Sequence, residues 1–171
     1  MSYKWVQIDT DIDGEAADDT SGWSVSLNST GNVVAIGAGA NDAGHVRVYK
    51  YENGGWRQLG ADIDGEAADD LSGYSVSLNS TGNVVAIGAR GNNGTTGDIN
   101  DNRGHVRVYK YENGGWRQLG ADIDGEAASD LSGYSVSLNS SGNVLAIGAK
   151  DNDNANGDSS GHVRVYTLIK N

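Results

Sequence analysis

GHVRVYKYENGGW, residues 104–116, is the stretch from which the fold of this chain can be read. From His105 to Tyr111, valines alternate with larger polar or aromatic residues, the two-residue period of a strand whose faces differ. Asn113-Gly114 then joins two residues that tolerate positive φ, so a tight hairpin follows and Trp116 opens the returning strand. The same block stands at Gly44–Trp56 and begins again at Gly161, where it runs GHVRVYTLIKN without a returning strand.

The hairpin belongs to a longer repeat. Trp56–Ala89 and Trp116–Ala149 differ only at Asp69/Ser129, Thr81/Ser141 and Val85/Leu145. Trp5–Ala38 is a looser copy, with Trp23 in place of Tyr74 and Tyr134. Repeats of this length signal a solenoid or a propeller. Units 5–55, 56–115 and 116–171 make one domain, 1–171, and their near-identity points to recent duplication or to a designed or reconstructed protein.

Each unit reads as four short strands. In the middle copy these are Ser75–Leu78, Asn83–Ala89, His105–Tyr111 and Trp116–Leu119, with Asn79-Ser80-Thr81-Gly82 as the first turn. The second strand is apolar on both sides: Val84, Ala86 and Gly88 on one, Val85, Ile87 and Ala89 on the other. A sheet with one wet face alternates apolar and polar there, so these sheets are sandwiched between neighbours. Four-stranded antiparallel units stacked face to face are propeller blades. The expected fold class is therefore an all-β propeller with three blades per chain; a β-solenoid, the rival, has shorter repeats.

Composition agrees and excludes several partners. Twenty-six glycines with no proline suit a chain of many tight turns. The net charge of −11 argues against nucleic acid and against an anionic membrane surface, both of which need surplus lysine and arginine. No cysteine means no disulfide framework and no thiolate metal site. No apolar run approaches spanning length, so no membrane insertion is expected. MSYKWVQIDT carries no apolar leader segment, so the reading is a cytosolic protein or one that begins after a removed leader.

Three pieces recur in fixed order: Gly73-Tyr74-Ser75-Val76-Ser77-Leu78, Val85-Ala86-Ile87-Gly88-Ala89 and Gly104-His105-Val106-Arg107-Val108-Tyr109. In content and order they resemble the FG-GAP repeat of integrin-α-type propellers. That resemblance implies an extracellular setting and a calcium loop of DxDxDG type between the first two strands. This chain departs there, with Asn79–Asn83, Asn28–Asn32 and Asn139–Asn143 free of carboxylates.

Strand phase carries the assembly expectation. The sequence opens on a fourth strand within residues 3–9 (Trp5, Val6, Gln7, Ile8) with no blade before it. It closes on a third strand, His162–Ile169, including Val163, Arg164, Val165 and Tyr166, with no partner after it. Three blades are too few for a ring, and unpaired edges invite pairing. A homodimer would make a six-bladed ring, each N-terminal strand completing the other copy's last blade; a trimer of nine blades and a piece of a longer propeller are the other arrangements.

Charge locates the candidate sites. Strands alternate up and down, so every acid except Glu52 and Glu112 falls on or beside one face of loops. Asp62, Asp64, Glu66, Asp122, Asp124 and Glu126 form the expected acidic binding face. The linker DIDGEAADD reads as a tight turn whose acids take up backbone amides, with cation binding as the alternative. In the long loops, Asp98, Asn100, Asn102, Asp151 and Asp153 offer alternate oxygen ligands for Ca2+, without completing the D-x-[DN]-x-[DN]-G pattern. His45, His105 and His162 are equivalent positions spread along an arc, so the three cannot gather at one zinc; local hydrogen bonding is the expectation. The tryptophans and tyrosines at fixed strand positions read as inter-blade filling, with sugar stacking as the alternative. A repeated unit argues against an enzyme, for which one asymmetric site suffices. The functional expectation is a non-catalytic, self-assembling scaffold or binding module, with glycan or protein as ligand. The alternative is a cation-dependent adhesion or carbohydrate-binding module.

Overall fold

The computed structural model describes residues 1–39, 43–94 and 98–170. Among them are thirteen strands in three antiparallel sheets. The first sheet runs β1 (Ser24–Leu27), β2 (Val33–Ala38), β3 (His45–Glu52), β4 (Gly55–Gln58), and the short β5 (Ile63–Asp64) pairs with β3 beyond β4. The second repeats this with β6 (Ser72–Leu78), β7 (Val84–Ala89), β8 (His105–Glu112), β9 (Gly115–Gln118) and β10 (Ile123–Asp124). The third holds β11 (Ser132–Leu138), β12 (Val144–Ala149) and β13 (His162–Thr167), and no fourth strand lies beside β13 among the described residues. Stacked sheets of this kind are propeller-like.

The hairpin follows its sequence. Asn113 and Gly114 hold φ of 52° and 83°, and Tyr111 pairs with Trp116 across β8 and β9. Two details differ from the sequence reading. The strand read as Ser75–Leu78 begins at Ser72, because a bulge at Gly73 (φ 88°) lets Ser72 still pair with Ala89. The linkers also contribute strands: Ile63 and Asp64 return to the edge of β3, opposite Val46 and His45, which buries Ile63. Apolar Ile63 inside an acidic run is the signal for this, and a two-residue strand is too short for any period to reveal it.

The carboxylate-free first turn has its own fastening. Asn79 Oδ1 accepts the amides of Asn83 and Val84, each at 3.0 Å, while its Nδ2 donates to Asn83 Oδ1 at 2.9 Å. Asn28 and Asn139 repeat the arrangement. An amide side chain here does the work of turn closure that a bound ion performs in a carboxylate loop.

Blades stack through two apolar layers. In one, Val33, Ala35, Val46 and Val48 of the first sheet meet Leu78, Val85 and Ile87 of the second. In the other, Ala86 and Val106 meet Leu145 and Ile147 of the third. Each fully buried valine or isoleucine here is worth about 1.5–3 kcal/mol. Serines tie the layers: Ser24 Oγ donates to the Gly73 carbonyl and Ser75 Oγ to the Gly133 carbonyl, both at 2.7 Å. The carbonyls approach so closely that a Cβ on Gly37 or Gly88 would sit 2.0 or 2.1 Å from them.

The two end faces carry the same residues without a neighbour. Leu27 is 60% exposed where its equivalent Leu78 is 7%, and Val25 is exposed beside it. At the other end Val163 is 67% exposed where Val106 is fully buried, and Val165 lies open likewise. Trp5, Val6 and Ile8 are exposed and form no strand with their own chain.

Candidate functional site

At each junction between repeats, the linker before a blade, the blade's third strand and the linker after it converge. At the second blade, Glu66, His105 and Asp122 each bring a ligand atom within 4.8 Å of the others. Glu15, His45 and Asp62 repeat the group at the first blade, lining a cavity of about 470 Å³. At the third blade, Glu126 stands 3.5 Å from His162 Nδ1, and no second carboxylate joins them among the described residues.

The backbone places each member. The histidine opens the third strand, paired across the edge with Asp64 at the first blade and Asp124 at the second. An arginine two residues on anchors the preceding linker: Arg107 Nη2 donates to the Asp64 carbonyl at 2.7 Å, and Arg47 and Arg164 do the same to Asp13 and Asp124. The same guanidinium holds the glutamate, with Arg107 Nη1 3.6 Å from Glu66 Oε1, leaving Oε2 turned to His105 Nδ1 at 3.9 Å. The third member is fixed from the fourth strand, since Gln58 and Gln118 donate to Asp62 and Asp122 at 2.5 and 2.6 Å.

His105 is buried, and burial pushes its pKa below the usual imidazole range; the Arg107 charge adds to this, against the opposing pull of Glu66 and Asp122. The neutral ring is thus the native form. The unfolded chain, with histidine titrating near about 6.5, takes up the proton more readily. Stability attached to His105 is therefore complete above that pH and is lost as pH falls below it. Urea midpoints with chelator present should drop between about pH 7.5 and 5.5 more steeply for the wild type than for His105→Gln. Equal slopes would remove His105 as the cause. In all three copies Nε2 is buried without a hydrogen-bond partner, so the expected local hydrogen bonding does not extend to that atom.

The other sequence candidates go to other places. Of the acidic-face residues, Asp62, Glu66 and Asp122 enter the triads, Glu126 faces His162, and Asp64 and Asp124 lend their carbonyls to arginines. The tight-turn reading of DIDGEAADD holds at its end: buried Asp70 accepts the Ala67 amide and Asn92 Nδ2, both at 3.1 Å, and Asp130 repeats this with Ala127 and Asn152. In the long loops, Asp98 accepts the Asn100 amide at 3.0 Å, and Asn102, at φ 45°, donates its amide to Asn93. Asp151 pairs with Lys150, and Asp153 accepts the Ser159 amide at 2.7 Å. None of these loop residues is in a triad. The sequence reading missed that His45 and His105 each meet two carboxylates from successive linkers; the recurrence of Glu15, His45 and Asp62 as Glu66, His105 and Asp122, 51, 60 and 60 residues on, was the trace of it.

Trp116 packs against the first inter-blade layer, as expected, whereas Trp23 is 51% exposed and Trp56 meets the N-terminal segment. Trp116 Nε1 donates to the Leu59 carbonyl at 2.6 Å, and Trp56 makes the same bond to Ile8 at 3.3 Å. Trp23, Tyr74 and Tyr134 line up with ring centroids 5.5 and 5.2 Å apart, and Arg90 lies over Tyr74.

No protein-family model matches the sequence, and no curated protein matches it. Solved structures do. The β-propeller domain of Myceliophteria thermophila Cps50 (Swd1) is 15% identical over 85% of this chain and 38% of its own, with a TM-score of 0.49. A candidate 6-phosphogluconolactonase of Bacteroides fragilis is 15% identical over 74% and 31%, with a TM-score of 0.49. Kuenenia stuttgartiensis hydrazine synthase is 15% identical over 84% and 44%, with a TM-score of 0.47. The chain thus spans less than half the length of these structures.

Proposed function

We propose that this chain is a non-catalytic propeller scaffold, of the FG-GAP-like kind its repeats resemble, that completes itself with a second copy into a six-bladed ring. The supporting observation is that its two end faces match. Val25 and Leu27 lead one exposed face, and Val163 and Val165 end the other. These are the positions that meet at the two internal junctions.

The N-terminal segment fits the third sheet's vacant edge in the same way. Residues from Gln7 onward already make the linker bonds of the other copies: Gln7 to Asp11 at 2.8 Å, as Gln58 to Asp62, and Arg47 to the Asp13 carbonyl. Trp5–Ile8 therefore emerges where a fourth strand of a preceding blade belongs. Beside β13, a cavity of about 160 Å³ lined by Leu119, Gly120 and Leu168 waits at the position where Trp116 packs on Leu59 and Gly60 one repeat earlier. The partner's Trp5 is its proposed occupant. Repetition of the turn asparagines, the linker-anchoring arginines and the Glu–His pairs supports a scaffold with a binding face over one asymmetric catalytic centre.

Light scattering on the 171-residue chain should give about twice its 17.8 kDa mass. A folded monomer at micromolar concentration would overturn the proposal. A second reading, a cation-dependent binding module, is favoured by the Glu–His–Asp groups.

A further inference from the structure

We infer that the blade junctions bind a divalent transition-metal ion, and that a third such site on each chain, Glu126 with His162, is completed by the partner's Asp11. The inference about the third site rests on the ring proposed above; the two internal sites do not.

The donor set is the first ground. One imidazole and two carboxylates suit Zn2+ and its first-row neighbours better than Ca2+, which takes six or more oxygens. Atoms bound to one Zn2+ at about 2 Å lie no more than about 4 Å apart. A triad within 4.8 Å is therefore assembled but open, and small side-chain rotations close it. Three protein ligands leave one tetrahedral position for water.

The second ground is the supporting shell. A ligating carboxylate is commonly steadied through its other oxygen. Glu66 gives Oε1 to Arg107 and turns Oε2 to His105. Gln118 steadies Asp122 likewise. The third ground is His105 itself: 1% exposed, with Nδ1 toward Glu66 and Nε2 buried without a hydrogen-bond partner. A metal at Nδ1 would place the ring proton on Nε2 and would offset the burial of the imidazole from the Nδ1 side, where Glu66 stands.

The fourth ground is register. Asp11 stands six residues after Trp5, as Asp62 does after Trp56 and Asp122 after Trp116. Gln7 holds Asp11 as Gln58 holds Asp62. If the partner's Trp5–Ile8 lies along β13, the partner's Asp11 arrives at Glu126 and His162, which already sit 3.5 Å apart. Among the described residues, Glu126 is the one carboxylate grouped with His162, where the two internal histidines have two.

Calorimetric titration with Zn2+ alone, on chelator-treated protein whose mass is measured in the same sample, tests the inference. A dimer taking up three ions per chain is expected. Asp11→Asn, an exposed change, should reduce this to two with the mass unchanged, and His105→Gln should remove a different one. A dimer that binds no Zn2+ overturns the metal sites and leaves the ring standing. A dimer with two ions per chain, unchanged by Asp11→Asn, overturns the shared site. A monomer binding two ions overturns both the shared site and the ring, while keeping the internal triads.

Discussion

Gly148→Ala should leave the three blades folded and stop the chain from associating. The position copies Gly37 and Gly88, where a Cβ would strike a neighbouring blade's carbonyl at 2.0 and 2.1 Å. At Gly148 that neighbour is missing, and the nearest atom to an added Cβ is Ser135 Oγ at 2.4 Å, which can rotate away. Within one chain the methyl group is therefore a minor strain. In the proposed ring it would meet the carbonyl of the partner's Gly22, the equivalent of Gly73 and Gly133. Overpacking of this kind costs about 2 kcal/mol at each of two closures, which raises the dissociation constant about a thousandfold. Sedimentation equilibrium reads that change. Gly88→Ala is the opposite control, because its clash lies inside the chain, and it should cost about 3 kcal/mol in urea unfolding. A Gly148→Ala protein that associates like wild type would show that the ring closes elsewhere or not at all.

Removing Tyr3–Asp9 should have the larger effect of the two. The segment makes no strand with its own chain, so deleting it withdraws from the isolated fold only the exposed bonds of Trp56 to Ile8 and Asp9 and of Gln7 to Asp11 among the described residues. In the proposed ring it would take a strand from each of two blades and leave the cavity beside Leu119 and Leu168 empty twice. Trp5→Ala alone removes an aromatic side chain worth about 3–5 kcal/mol where fully buried. Over two closures that raises the dissociation constant by about four to seven orders of magnitude. The measurement is mass against concentration by light scattering, with the urea midpoint of the monomer as companion. A deletion variant that remains dimeric would refute strand exchange as the closing contact.

Much of the fold was legible because it rests on local chemistry repeated three times. Asn113-Gly114 specifies its own turn. Val85 and Ile87 lie on one side of β7 and Ala86 on the other, so a sheet covered on both faces followed from apolar residues on both. Short strands with strong neighbours were not legible. Ile63–Asp64 pairs with His45 and Val46 only because the linker folds back, and two residues have no periodicity.

The site was legible by residue and obscure by arrangement. Asp62, Glu66 and Asp122 stood out as acids, but a carboxylate count does not say which ones meet an imidazole. His45 and His105 belong to separate groups of ligand atoms. The step missing from the sequence reading was that each could collect its ligands from successive linkers, 56 residues apart at His105. The loop oxygens at Asp98 and Asp153 attracted notice through their spacing, and they spend it on amides of their own loop.

The matching yet unlike end faces have one more consequence. A leading face receives a trailing face and never its own kind, so the joint carries direction. Such a joint has no intrinsic stopping point except the curvature that brings the last face round to the first. A substitution that flattened the stack, by widening the spacing of Trp23, Tyr74 and Tyr134 beside β1, β6 and β11, would turn closure of the proposed ring into endless addition. The same apolar valines would then hold together a fibre.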